Sequence, residues 1–185
     1  MRLDDLQHTP PFRSYWQAWR DCFQLAFTDL GLTGDPASSA NAMVRALGQR
    51  PPYADAVQAL ERLRKGPWTL AVLSNADDAS LGPVLEDNGF TAFQVVLSSE
   101  RLRAYKPHPT TYQQTIKALG CSPQEAVYVG DQPLEDVHGA KLQGLKAVLL
   151  NRSGVPKDKL PTPPDYEIRS LPELLEILEY PRKGR

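Results

Sequence analysis

Apolar positions in the first third of the chain recur with a helical spacing. Phe12, Tyr15/Trp16, Trp19, Phe23, Ala26/Phe27 and Leu30 form one stripe, and Gly31 follows as a stop, since glycine accepts the left-handed backbone past a helix end. A second helix is predicted over about Ser38–Leu47 and a third over about Ala54–Arg64, where Val57, Leu60 and Leu63 share a face. Then the rhythm changes. TLAVLS (69–74) is apolar without alternation, the pattern of a strand buried on both faces. Further strands are predicted at about Phe93–Leu97, 126–130, 145–150 and Tyr166–Ile168. They alternate with helices at about Ala79–Asp87, Thr110–Leu119, Leu134–Gln143 and Pro172–Leu178. Strands alternating with helices predict an α/β fold with a doubly wound parallel sheet and right-handed crossovers. In such sheets a ligand sits beyond the carboxyl ends of the strands. Residues 1–11 read as a polar leader or loop, 155–164 as a proline-rich loop and PRKGR as a frayed tail; there is no internal repeat.

Length and composition narrow the class. A chain of 185 residues suits one domain, or one with a small appendage. It should bury roughly two-thirds of its unfolded surface and so needs no disulfide or structural metal. Cys22 and Cys121 read as ordinary apolar packing. Nothing in a net charge of −1 suggests a nucleic-acid partner, whose footprint would be a strongly basic face. No stretch approaches the ~20 apolar residues of a membrane span, and the first twenty residues lack a signal peptide's apolar run. A soluble, cytoplasmic protein is expected. The 17 prolines are read as punctuation in loops.

The polar residues that end the strands carry the chemistry. Strand 69–74 ends in Ser74, Asn75, Ala76 and Asp77. The stretch VYVGDQPLEDVHGA (127–140) ends a strand in Gly130 and Asp131, with Asp136 five residues on. Between them, RAYKPHP sets Lys106 before Pro107. Singly these are a turn cap, a surface lysine and a common turn. Jointly they put a hydroxyl, an ammonium and two carboxylates at one sheet edge. Phosphoryl transfer uses that set: hydroxyl and backbone N–H groups bond phosphoryl oxygens, lysine neutralises charge, and carboxylates hold Mg²⁺, a hard cation that prefers oxygen. A cation or a neighbouring lysine also removes the repulsion between the two acids. His8, His108 and His138 have no metal-ligand spacing; His108 reads as a solvated loop residue near Lys106. The stripe Tyr15/Trp16/Trp19/Phe23 reads as cap packing or a subunit interface before a substrate entrance.

These residues resemble the haloacid dehalogenase-like (HAD) hydrolase superfamily. LSNAD (73–77) is similar to its second motif, with Ser74 the phosphoryl-binding hydroxyl. Lys106 in YKPHP is similar to its third-motif lysine. GDQPLED (130–136) is similar to its fourth, with Asp131 the direct Mg²⁺ ligand and Asp136 a metal-shell residue that also orients the lysine. The resemblance covers about residues 50–180 and implies a Rossmann-like core over 51–185 behind a partial helical cap over 1–50. Dehalogenases of the superfamily work without a metal and do not need a GD-x4-D pair. The resemblance therefore implies the phosphatase branch: a Mg²⁺-dependent phosphatase acting on a small phosphorylated metabolite through an aspartyl-phosphate. Two alternatives stand beside it. The Arg-x-Tyr-Lys-Pro wording of residues 103–107 keeps a haloacid dehalogenase open. A non-catalytic phosphate-binding or regulatory module would use the same half-site without chemistry. A homodimer through the cap or exposed sheet edges is the expected assembly, if there is one.

The resemblance fails at its first motif, a D-x-D at the end of a first strand, whose first aspartate attacks phosphorus. Asp4-Asp5 are adjacent and follow no apolar strand, Asp35 reads as a helix start, and no residue of this chain is assigned as nucleophile. In the family that first strand is central, between the strands that here are 69–74 and 126–130. Without it, those strands must pair with each other or leave a gap of roughly 10 Å, two strand spacings. A gap would leave two apolar edges prone to aggregate. The simplest expectation is that Met1 is not the natural start, that the central first strand is missing, and that the chain as given turns over little or nothing.

Overall fold

A computed structural model describes residues 11–154 and 161–179. Asp4, Asp5, His8, the leader 1–10, loop residues 155–160 and the tail lie outside the described residues. The described chain runs α1 (Tyr15–Leu30), α2 (Pro36–Gly48), α3 (Ala54–Arg64), β1 (Leu70–Ser74), α4 (Asp78–Asp87), β2 (Phe93–Ser98) and α5 (Ser99–Leu102). It continues with α6 (Pro109–Leu119), β3 (Val127–Gly130), a π-turn (Pro133–His138), α7 (Gly139–Leu142), β4 (Lys146–Leu150), β5 (Tyr166–Ile168) and α8 (Glu173–Glu179). It is an α/β fold: β3, β4 and β5 form a parallel sheet in that order, with Val129 opposite Val148 and Leu149 opposite Glu167. β1 and β2 form a separate two-stranded sheet.

The chain divides into two compact units. One joins the chain up to Pro51 with Leu73–Thr91 and Leu97–Tyr105; the other joins Pro52–Val72, Ala92–Val96 and the chain from Lys106 onward. In the first, Ser14 caps α1 through a reciprocal box with Gln17, and Gly31 ends it with φ 62°. Asp35 caps α2 through the N–H groups of Ala37 and Ser38, with Pro36 at the first helical position, where its missing N–H is no loss. α1 buries none of its residues. In the second unit the core is built from Leu63, Val148, Ile168, Leu174 and Leu175, with Trp68, Leu70 and Val129 packed against it.

Three local expectations change. The strand predicted over 69–74 as buried on both faces forms over Leu70–Ser74 and is half-buried at each of those positions, with Thr69 exposed. Among the described residues β1 and β3 each have a ladder partner on one side only, and β3 too is at most half-buried, whereas β4, flanked on both sides, buries Ala147, Val148 and Leu149. Prolines are not confined to loops: Pro83 lies inside α4, and Pro36 and Pro109 open helices. The helix expected over 134–143 starts as a wider π-turn, in which the N–H groups of Asp136 and Val137 both donate to the Gln132 carbonyl. Among the described residues no helix is long and apolar enough to cross a membrane.

Candidate active site

Strand β3 ends at Gly130, and the chain turns at once into the π-turn. That wide turn aims the Asp136 carboxylate back at the strand end. Its Oδ2 accepts the Gln132 N–H at 2.9 Å, and its Oδ1 accepts Lys106 Nζ at 2.6 Å and the Tyr128 hydroxyl at 3.2 Å. The carboxylate packs so tightly on the strand that a Cβ at position 130 would fall on its Cγ and Oδ2 and 2.5 Å from its Cβ. Glycine is therefore required there by the side chain six residues on. Lys106 enters from the loop before α6, and its Nζ also donates to the Tyr128 hydroxyl at 2.9 Å. The pair is dry, with side chains 10 % (Lys106) and 4 % (Asp136) exposed. In such a setting the ion pair holds only because further hydrogen bonds fill the carboxylate's remaining lone pairs.

Two tyrosines back this cluster. Tyr112 of α6 is fully buried, donates to the Glu135 carbonyl and meets the Tyr128 ring edge-on with centroids 5.6 Å apart. Gly139 clears room for the Tyr112 phenol. Burial first, and Asp136 second, push both phenols well above the ordinary value, so each keeps its proton. Asp131 differs from Asp136. It is exposed, and its described partner is the Gln132 side-chain amide at 3.4 Å.

Ser74 and Asn75 belong to the other unit, at the end of β1. The loop after them is pinned: Ala76 N donates to the Ser74 carbonyl at 3.0 Å, while the Ala76 carbonyl accepts the Ser99 hydroxyl at 3.0 Å. Asp77, buried, accepts the Tyr15 and Trp16 N–H groups at 2.9 and 2.7 Å and so ties the start of α1 to this loop. Asp78 takes the Ser98 hydroxyl at 2.5 Å and Arg101 at 3.1 Å; the Ser98 bond, against burial and with Arg101, holds its carboxyl below the usual range. Of the predicted site residues, then, Lys106 and Asp136 meet directly, and Asp131 lies on the same turn. One residue that holds the Lys106–Asp136 pair lies outside the predicted site: Tyr128 is two residues before Gly130, and strand alternation puts both on one face. In the other unit Asp77 is predicted only as the end of LSNAD. α5, whose Ser99 holds the loop after Ser74, gave no periodic signal in four residues.

Among the described residues no three His, Cys, Asp or Glu side chains gather as a metal cage. The donor set fits a cation that keeps most of its waters and uses one exposed carboxylate, which is how Mg²⁺ is commonly held. Asp131 is the exposed carboxylate that follows β3.

The family model described as haloacid dehalogenase-like hydrolase matches residues 38–150. Haloacetate dehalogenase H-2 of Moraxella sp. (strain B) is 31% identical over 128 residues, 69% of this chain. Phosphoserine phosphatase of Thermus thermophilus is 33% identical over 136 residues, 73% of this chain. These alignments span 57% and 54% of the two relatives' own lengths, little more than half. A solved dehalogenase structure superposes with a TM-score of 0.76 at 28% identity, over 90% of this chain and 73% of the other. The motif residues, the parallel α/β fold and these similarities agree: the chain belongs to the haloacid dehalogenase-like hydrolase family.

Proposed function

We propose that this hydrolase is a Mg²⁺-dependent phosphatase of a small phosphorylated metabolite. The observation that carries the reading is the contrast between the two carboxylates after β3. Asp136 is already neutralised by Lys106, whereas Asp131 is exposed with no cationic partner among the described residues. Both candidate substrate classes, phosphate monoesters and 2-haloacids, are anions, and an exposed carboxylate repels either. A divalent cation turns that repulsion into attraction, and phosphoryl transfer is the chemistry that uses one. When bound, Mg²⁺ would supply charge neutralisation at the phosphoryl oxygens. Asp131 would hold it, and Asp136 would orient Lys106 and metal-shell water. Ser74 would donate its hydroxyl to a phosphoryl oxygen, Asn75 would add an amide contact, and Lys106 would offset the developing charge.

The nucleophile is assigned to no residue of this chain. A further strand beside the ladders that β1 and β3 form among the described residues would carry it. Without that nucleophile, turnover falls by a factor on the order of 10⁶, about 8 kcal/mol. A dehalogenase is the second reading, favoured by the dehalogenase names among the relatives. The third, a phosphate-binding module without chemistry, keeps Ser74, Lys106 and Asp131 as its anion and cation contacts. Calorimetric titration of Mg²⁺ tests the first: the chain should bind the ion, and Asp131→Asn should lose it. No Mg²⁺ binding by the unsubstituted chain would remove the phosphatase reading.

A further inference from the structure

We propose that Tyr128 is a positioning residue for the Lys106–Asp136 pair, its hydroxyl being the third corner of a closed hydrogen-bond triangle. The geometry assigns each proton. Lys106 has only donors, so the Tyr128 oxygen accepts from Nζ at 2.9 Å; its own O–H is then left to donate to Asp136 Oδ1 at 3.2 Å. Asp136 Oδ1 thus takes two donors while Oδ2 takes the Gln132 N–H, which fixes the carboxylate's plane as well as its position. The ring is fixed independently. It rises from β3 two residues before Gly130, meets Tyr112 edge-on, and sits with its centroid 5.4 Å from the ammonium, a second hold on the lysine. An ion pair alone would leave a four-carbon chain free to rotate its ammonium about Oδ1; the phenol removes that freedom. The role deepens the phosphatase reading only in what the oriented ammonium serves.

The test reads the lysine directly. In the 185-residue chain, the Lys106 ammonium should give a slowly exchanging ¹⁵N–¹H signal, assigned by its loss in Lys106→Met, with cross-relaxation to the Tyr128 ring protons. Tyr128→Phe, which keeps the ring and removes both hydrogen bonds of the hydroxyl, the one accepted from Lys106 and the one donated to Asp136, should speed exchange by at least about tenfold. Tyr112→Phe, which touches the π-turn but not the pair, should leave exchange within about twofold. Inorganic phosphate should bind about fivefold more weakly to Tyr128→Phe. Unchanged exchange in Tyr128→Phe, or equal acceleration in both variants, overturns the positioning role. So does the absence of a protected Lys106 signal near the Tyr128 ring in the unsubstituted chain, which needs no variant to fold. Failure of the unsubstituted chain to bind phosphate would instead count against the phosphatase reading and leave the exchange result to decide the tyrosine.

Discussion

Replacing Gly130 by alanine inserts one methyl group into the tightest contact of the candidate site. The new carbon would overlap the Asp136 carboxylate and lie 2.5 Å from its Cβ, where ordinary carbon contacts begin about an ångström farther out. Either β3 or Asp136 must give way. Asp136 is held at both oxygens, by Lys106 at 2.6 Å and Gln132 N at 2.9 Å, so moving it sacrifices a charge-assisted hydrogen bond, about 1.5–3 kcal/mol. Moving the strand instead is overpacking, about 1–3 kcal/mol. The smaller conformational freedom of alanine in the unfolded chain returns about 0.4–1 kcal/mol. The net expectation is a loss of about 2 kcal/mol, or roughly 4–8 °C in Tm for a chain of this size. Urea unfolding of four proteins measures it: the unsubstituted chain, Gly130→Ala, Asp136→Gly and the double variant. In the Asp136→Gly background all three clashing atoms are gone, so the same alanine should cost less than about 0.5 kcal/mol. An equal cost in both backgrounds would refute the claim that Asp136 is what demands glycine here.

Lys106→Met should destabilise by about 3–5 kcal/mol in urea unfolding, because it strands a buried carboxylate, and Lys106→Met with Asp136→Leu should recover part of that loss. The phenols of Tyr112 and Tyr128 are raised well above 10, and that of Tyr105 to about 12, first of all by burial. Their contribution is present below pH 10 and lost as pH rises through the folded values. Tyrosinate absorbance should therefore show these three of seven tyrosines titrating only with alkaline unfolding. Asp78 is lowered, chiefly by the Ser98 hydroxyl. Its contribution is full above the ordinary value of 3.8 and lost as pH falls below it through the folded value, so Ser98→Ala should flatten the acid limb of a stability–pH curve.

The sequence made the elements legible where periodicity was long or turn chemistry explicit. α3 and β5 start and end where their apolar spacing and flanking residues predict, and the other predicted boundaries fall within a few residues. It failed where the determinant is a contact distant in sequence. β1 looks doubly buried because its residues are apolar, yet apolarity does not say whether a second ladder partner is present. Pro83 sits inside α4, at a position where no rule of sequence spacing expects it. Lys106, Asp131 and Asp136 were legible because a lysine before proline, a strand end and a five-residue spacing are local patterns. The partners that fix them, Tyr128, the Gln132 N–H and the Gly130 clearance, depend on the π-turn, which the 3.6-residue rhythm conceals. Asp77 shows the same limit: it reads only as the end of LSNAD, whereas its carboxylate holds the start of α1, 61 and 62 residues away.

The most direct measurement of the central claim sets two products side by side. Phosphate release from p-nitrophenyl phosphate and chloride release from 2-chloropropionate would be followed, with and without Mg²⁺. The proteins would be this chain and, where an in-frame start lies upstream, a version extended to it. The account predicts phosphate release by the extended protein, dependent on Mg²⁺ and lost in Asp131→Asn. Chloride release that is indifferent to both Mg²⁺ and Asp131 would contradict it.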